Sequence, residues 1–193
     1  MRMRCRSLLF TATLGFAVAF PALAGDDHHA GYREHGAHVH GTGDLNVAVD
    51  GGTLLIELHG PAANIVGFEH PPRDAGELQA VADARAKLAD PSQTFLPNPE
   101  ADCVLATHEV FMELAGDAAH DSDHDHDHDQ DGEVHSDAGV AYSFDCAAPD
   151  RLESLQVVLF RSFPATEKLR VQLITPDSQR AAELTPDDAS LPL

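Results

Sequence analysis

The chain has no tryptophan, only two tyrosines, three cysteines, and 12 lysines and arginines against 32 aspartates and glutamates in 193 residues. So few cations on so acidic a surface exclude nucleic acid and anionic lipid as partners, because like charge repels, and favour cations instead. Catalytic signatures are missing as well. His108-Glu109 has no second histidine four residues after the first, and there is neither a G-x-S-x-G elbow nor a phosphate-binding glycine loop. A histidine cluster with an open zinc position is the one route to hydrolysis left, and no substrate pocket is specified for it, so the expectation is a protein that is not an enzyme. After the first 24 residues no apolar run is long enough to span a bilayer.

Those first residues read as a removable signal. Arg2, Arg4 and Arg6 precede the apolar run Leu8–Phe20, and Ala22-Leu23-Ala24 is a small-x-small cleavage site. Cleavage after Ala24 leaves Gly25–Leu193, which is 193 less 24, or 169 residues, enough to bury a core in one domain. It removes three arginines and no acid, so the formal net charge moves from −20 to −23. The expected location is outside the cytoplasm, reached by secretion. Cys5 leaves with the signal, and Cys103 and Cys146 remain as an even pair in an oxidising compartment, where a disulfide is the expected outcome.

Residues 25–34 are polar and glycine/histidine-rich, which predicts a flexible arm, and one domain is expected over residues 35–193. "DLNVAVD" alternates Leu45, Val47 and Val49 against polar neighbours, Asp50-Gly51-Gly52 is hairpin punctuation, and "TLLIELH" returns with Leu54, Ile56 and Leu58 on one face. "PAANIVGFEHPP" reads as irregular and partly buried. Asp74 can N-cap a helix with Glu77 three residues on, and Leu78, Val81, Arg85 and Leu88 recur near helical spacing before Asp90-Pro91 stops it. Strands are expected at Cys103–Leu114, Val140–Cys146, Leu155–Phe160 and Lys168–Thr175, and a short one at "AAEL". His108 falls mid-strand among apolar residues and is expected to be half-buried. The fold class is α+β, mainly an antiparallel sheet with one clear helix, a single disulfide, and a His/Asp-rich disordered loop (insert 116–138) at a hairpin tip.

That insert is the most unusual stretch. "HDSDHDHDHDQDGEVHSD", His120–Asp137, carries five histidines and seven aspartates and almost nothing to bury. His124, His126 and His128 alternate with aspartates, so imidazoles two residues apart share a side at roughly 6.5 to 7 Å and can turn inward onto one ion. His120 and His135 flank them. Neutral imidazole and carboxylate suit Zn(II), with bonds of about 2.0–2.2 Å, and the alternating aspartates can ligate or hold the second ring nitrogen. Without metal the segment has no apolar payload to offset ordering entropy. Asp127-x-Asp129-x-Asp131-Gly132 also matches half a calcium loop, but its twelfth position is Ala138, where a bidentate Glu belongs. A second cluster, "EHGAHVHG", offers His35, His38 and His40 between glycines that let the backbone bend round an ion. His59, beside Glu57, and His70, beside Glu69, are further candidates to complete that site.

"HGAHVHGTGDLNVAV" (His35–Val49), "GPAANIVGFEHPP" (Gly60–Pro72), the Cys103/Cys146 pair around a His/Asp insert, "LFRSFPATEKLRVQLITP" (Leu159–Pro176) and "AAELTP" (Ala181–Pro186) together resemble the ZrgA-type periplasmic zinc-uptake proteins over nearly the whole mature chain. The resemblance implies a zinc-binding accessory to high-affinity import, alongside an ABC transporter and its solute-binding protein. It also implies that His35, His38, His40 and the histidines of the insert are the metal-binding residues. Chemistry alone leaves two alternatives: a buffer or resistance protein that sequesters copper or nickel, since the same ligands bind copper(II) more tightly, and a secreted calcium-binding interaction module.

Overall fold

The computed structural model describes residues 39–114 and 136–193. The expected signal peptide and arm, His35 and His38, and His120, His124, His126, His128 and His135 of the insert lie outside the described residues.

β1 (Thr42–Asp50) and β2 (Thr53–Pro61) pair antiparallel from Asp50↔Thr53 to Asp44↔His59, turning at Gly51, whose φ of 56° suits glycine. Leu45, Val47, Leu54, Ile56 and Leu58 point to one side and are almost fully buried. Alternation on a one-sided sheet fixes this register, because a one-residue slip would expose every one of them. A short helix α1 (Ala62–Val66) follows β2 directly, where the sequence reads as irregular.

α2 (Ala75–Ala89) starts as expected. Asp74 accepts from Gly76 N and Glu77 N, while Glu77 reaches one residue further back than a capping box, to Arg73 N at 2.6 Å. Its inward face differs from the expected one. Ala84 and Leu88 are buried, Val81 is half-buried, Leu78 is 60% exposed, and Arg85 points aside to donate to Met112 O.

β3 (Phe95–Pro97) leads to β4 (Cys103–Glu113), which pairs antiparallel with β5 (Asp137–Cys146) from Cys103↔Cys146 to Glu113↔Asp137. The expected disulfide joins Cys103 to Cys146, directly opposed across this ribbon. β5 begins at Asp137, so the last two residues of the expected insert are already strand, and Ser136 before them is buried. His108 is exposed rather than half-buried, because β4 is the edge strand of the sheet.

The expected strand Leu155–Phe160 is a strand and a helix. β6 (Ser154–Val157) gives way to α3 (Leu159–Ser162). Val158 N and Leu159 N both donate to Thr94 O, which turns the chain and drops Leu159 and Phe160 into the core. β7 (Lys168–Thr175) has the expected bounds. β8 (Ser178–Leu184) is longer than "AAEL", and a further strand β9 (Ser190–Pro192) ends the chain.

The strands form two sheets, one of six in the order β4-β5-β2-β1-β7-β8 and one of three, β3-β6-β9. The larger is antiparallel except for β1 and β7, which run parallel from Thr42↔Lys168 to Ala48↔Ile174. Its inner face, the small sheet and Ala84 and Leu88 of α2 contribute to one apolar core, with Phe95, Leu155, Leu159 and Leu191 fully or almost fully buried. Tyr142 ties these layers together. Its hydroxyl donates to Leu88 O and meets Thr94 Oγ1 at 2.8 Å, and burial pushes its pKa up to about 12. The six-stranded sheet's other face carries Asp44, Glu57, His59 and Arg170.

Candidate metal centre

At the end of the sheet where β1, β5 and β7 begin, two segments converge on one residue of a third, Glu69, one on its carboxylate and one on its backbone carbonyl. His40 stands in the turn before β1, and its Nε2 lies 3.1 Å from Glu69 Oε1. The imidazole is 70% exposed and the carboxylate 31%, so the pair sits at the surface, open to an ion. Glu69 belongs to the loop after α1, which Gly67 starts with a left-handed φ of 89°. Ser136, the first described residue of the His/Asp insert, near its C-terminal end, donates its hydroxyl to the carbonyl of the same Glu69 at 2.6 Å, and its own carbonyl accepts from Ala62 N at 2.8 Å. The exit of the insert and the last histidine of the "HGAHVHG" cluster are thus fastened to one residue.

Each described candidate histidine has one ring nitrogen facing an oxygen. For His40 that oxygen is Glu69. For His70 it is the Pro71 carbonyl, 3.0 Å from Nδ1, with Glu77 Oε2 at 3.8 Å and the ring stacked on Phe68 at 5.0 Å. A carbonyl only accepts, so Nδ1 carries the proton and, in the neutral ring, Nε2 keeps its lone pair for a metal. For His59 the oxygen is Glu57 Oε1, 2.8 Å from Nε2. An acceptor on one nitrogen fixes the tautomer and raises the basicity of the other, as is usual behind zinc-bound imidazole.

The structure brings His40 to Glu69 and places His70 on the adjoining residue, but it does not bring His59 to them. His59 is paired across from Asp44, two residues into β1, roughly 7 Å along the strand from its start. Its ring packs on Phe111, with centroids 4.4 Å apart, and Gly139 between them makes this possible. A Cβ there would lie 1.9 Å from Leu58 O and 2.4 Å from the Phe111 ring. The facing Asp44 is engaged by Arg170, with two bonds of 2.8 Å. Among the described residues no three His, Cys, Asp or Glu side chains are grouped to hold a metal ion. The described site therefore consists of a His–Glu pair with His70 beside it, and any third ligand from the first cluster would be His35 or His38.

Residues 37–193 match the family model described as ZrgA family zinc uptake protein. The chain belongs to the ZrgA family. A search of curated proteins finds no match. The matched segment takes in His38, His40, the whole insert and both cysteines of the disulfide; His35 precedes it. Membership in a family described by zinc uptake associates the chain with zinc. No helix among the described residues is long and apolar enough to cross a membrane.

Two participants are not evident from sequence. Ser136 closes a polar tract in which nothing distinguishes it from its neighbours. Asn64 is buried beneath the His40 turn, and the only signal for it is a lone amide between apolar residues in "AANIV".

Proposed function

We propose that this ZrgA family member is a periplasmic, non-enzymatic zinc-binding protein that captures Zn(II) and assists high-affinity uptake, passing the ion through a solute-binding protein to an ABC importer. The observation that carries the reading is the convergence of His40 and Ser136 on Glu69. It sets the root of the His/Asp insert beside the last histidine of the first cluster. In this scheme His40 binds through Nδ1, with Glu69 holding the Nε2 proton, and His35 and His38 of the same motif complete the tighter site. His70 offers Nε2 next to it. His120, His124, His126, His128 and His135 take up ions at weaker, exchangeable positions and raise their local concentration.

Zinc must displace protons from imidazole, so binding weakens as pH falls towards about 6, where ordinary histidines become cationic. The test is zinc calorimetry on Gly25–Leu193 and on the same chain lacking His120–His135. The deletion is expected to lower the stoichiometry and to keep the tight site. Unchanged stoichiometry and affinity would remove the insert from the mechanism.

A further inference from the structure

A buried amide is costly unless its polar atoms are satisfied. Asn64 is only 4% exposed, and α1 does not use it, since that helix has no side-chain cap and ends on the Gly67 N–H to Ala63 O bond. Its amide is spent on the residues after His40. Oδ1 accepts from Gly41 N at 2.8 Å, and Nδ2 donates to Thr42 O at 3.0 Å.

The rest of that turn is equally constrained. Thr42 N donates to Val39 O, and Gly41 O accepts from both Glu167 N and Lys168 N. Gly41 has a φ of 80°, which a residue with a side chain rarely adopts, and a Cβ there would meet Glu167 Oε2 at 3.2 Å. Every backbone polar group of Gly41 and Thr42 is thus fixed, and among the described residues Asn64 is the one side chain that holds both. Glu69, five residues on, holds the ring of His40. One short segment, 64–69, therefore fixes both the backbone after His40 and the ring itself.

We propose that Asn64 is a positioning residue for zinc: it touches no metal, and by clamping Gly41 and Thr42 it fixes the direction in which His40 presents its coordinating nitrogen. This rests on the reading that His40 is a ligand of the tight site.

The experiment is a zinc competition titration against a chromophoric chelator near neutral pH, reading the tightest site in the secreted protein and four variants. His40→Ala tests the underlying reading and is expected to abolish that site. Asn64→Ala is expected to weaken it by about 10-fold to 100-fold, the range found when a group supporting a metal ligand is removed. Asn64→Asp is expected to weaken it less, because Asp still accepts from Gly41 N but cannot donate to Thr42 O; it carries the test alone if Asn64→Ala does not fold. Tyr142→Phe, which loosens the core elsewhere, is expected to lower thermal stability and leave affinity unchanged, a split that a merely structural role for Asn64 would not produce. Wild-type affinity in folded Asn64 variants, with His40→Ala weakened, would overturn the clamp alone. Equal weakening by Tyr142→Phe and the Asn64 variants would overturn it too. Wild-type affinity in His40→Ala would overturn both the clamp and the reading beneath it.

Discussion

The two ends of the six-stranded sheet are held by different chemistry. At one end the Cys103–Cys146 disulfide joins β4 to β5, and Cys146 N bonds to Gly52 O in the β1–β2 turn. No histidine among the described residues stands there. At the other end, where β4 stops and β5 starts, the holding contacts are hydrogen bonds: Ser136 to Glu69 and to Ala62, Asn64 to Gly41 and Thr42, Glu69 to His40. The covalent end fixes the register of the ribbon. The hydrogen-bonded end keeps side chains that a metal and a proton can compete for. On the function proposed above, stability and cargo handling would fall to opposite ends of one sheet.

Removing the covalent end should give the largest effect with the least consequence for zinc. Cys103→Ala with Cys146→Ala, which opens a link between residues 43 apart, should cost about 4 kcal/mol on the chain-entropy model. Urea denaturation would read that loss, and a zinc titration of the folded fraction should be unchanged; weakened zinc binding would break the division between the ends. Gly139→Ala forces a Cβ into Leu58 O and the Phe111 ring, and overpacking of this kind costs about 1–3 kcal/mol. It should displace Phe111 from His59 without altering the tight zinc site, and a change there would return His59 to the ligand set.

Tyr142→Phe should cost about 1 kcal/mol by stranding Leu88 O and Thr94. Burial favours the protonated phenol, so its contribution is fully present below pH 10 and is lost as pH rises from about 10 towards about 12. Denaturation at a series of alkaline pH values should show a smaller decline in the phenylalanine variant. Smallest of all, Arg170→Ala removes an ion pair whose partners are 60% and 51% exposed, and should change stability by less than about 1 kcal/mol and zinc binding not at all.

Much of the frame is legible in the sequence. The β1–β2 hairpin announces itself by alternation around Gly51-Gly52, β7 by Leu169, Val171 and Leu173, α2 by its Asp74 cap, and the disulfide by cysteine number and compartment. What escapes has local physical causes. α1 is too short to show a helical period. β8 is exposed along six of its seven residues, so no apolar face marks it. The bend at Val158 is made by a carbonyl more than sixty residues earlier, Thr94 O, and overrides an apolar run that reads as strand. The parallel pairing of β1 with β7 depends on the path of everything between them. At the site, residue type pointed to His40, His70 and Glu69, but the partners that fasten the site, Asn64 and Ser136, are ordinary residues whose role exists only once the chain has folded.

Anomalous scattering at the zinc edge, from crystals of the secreted protein loaded with zinc near neutral pH, tests the metal site most directly. The strongest peak should lie within bonding distance of His40, about 2.0–2.1 Å from a ring nitrogen, with Glu69 at that ring's other nitrogen. A fully occupied peak elsewhere, with His40 still hydrogen-bonded to Glu69 and free of metal, would contradict it.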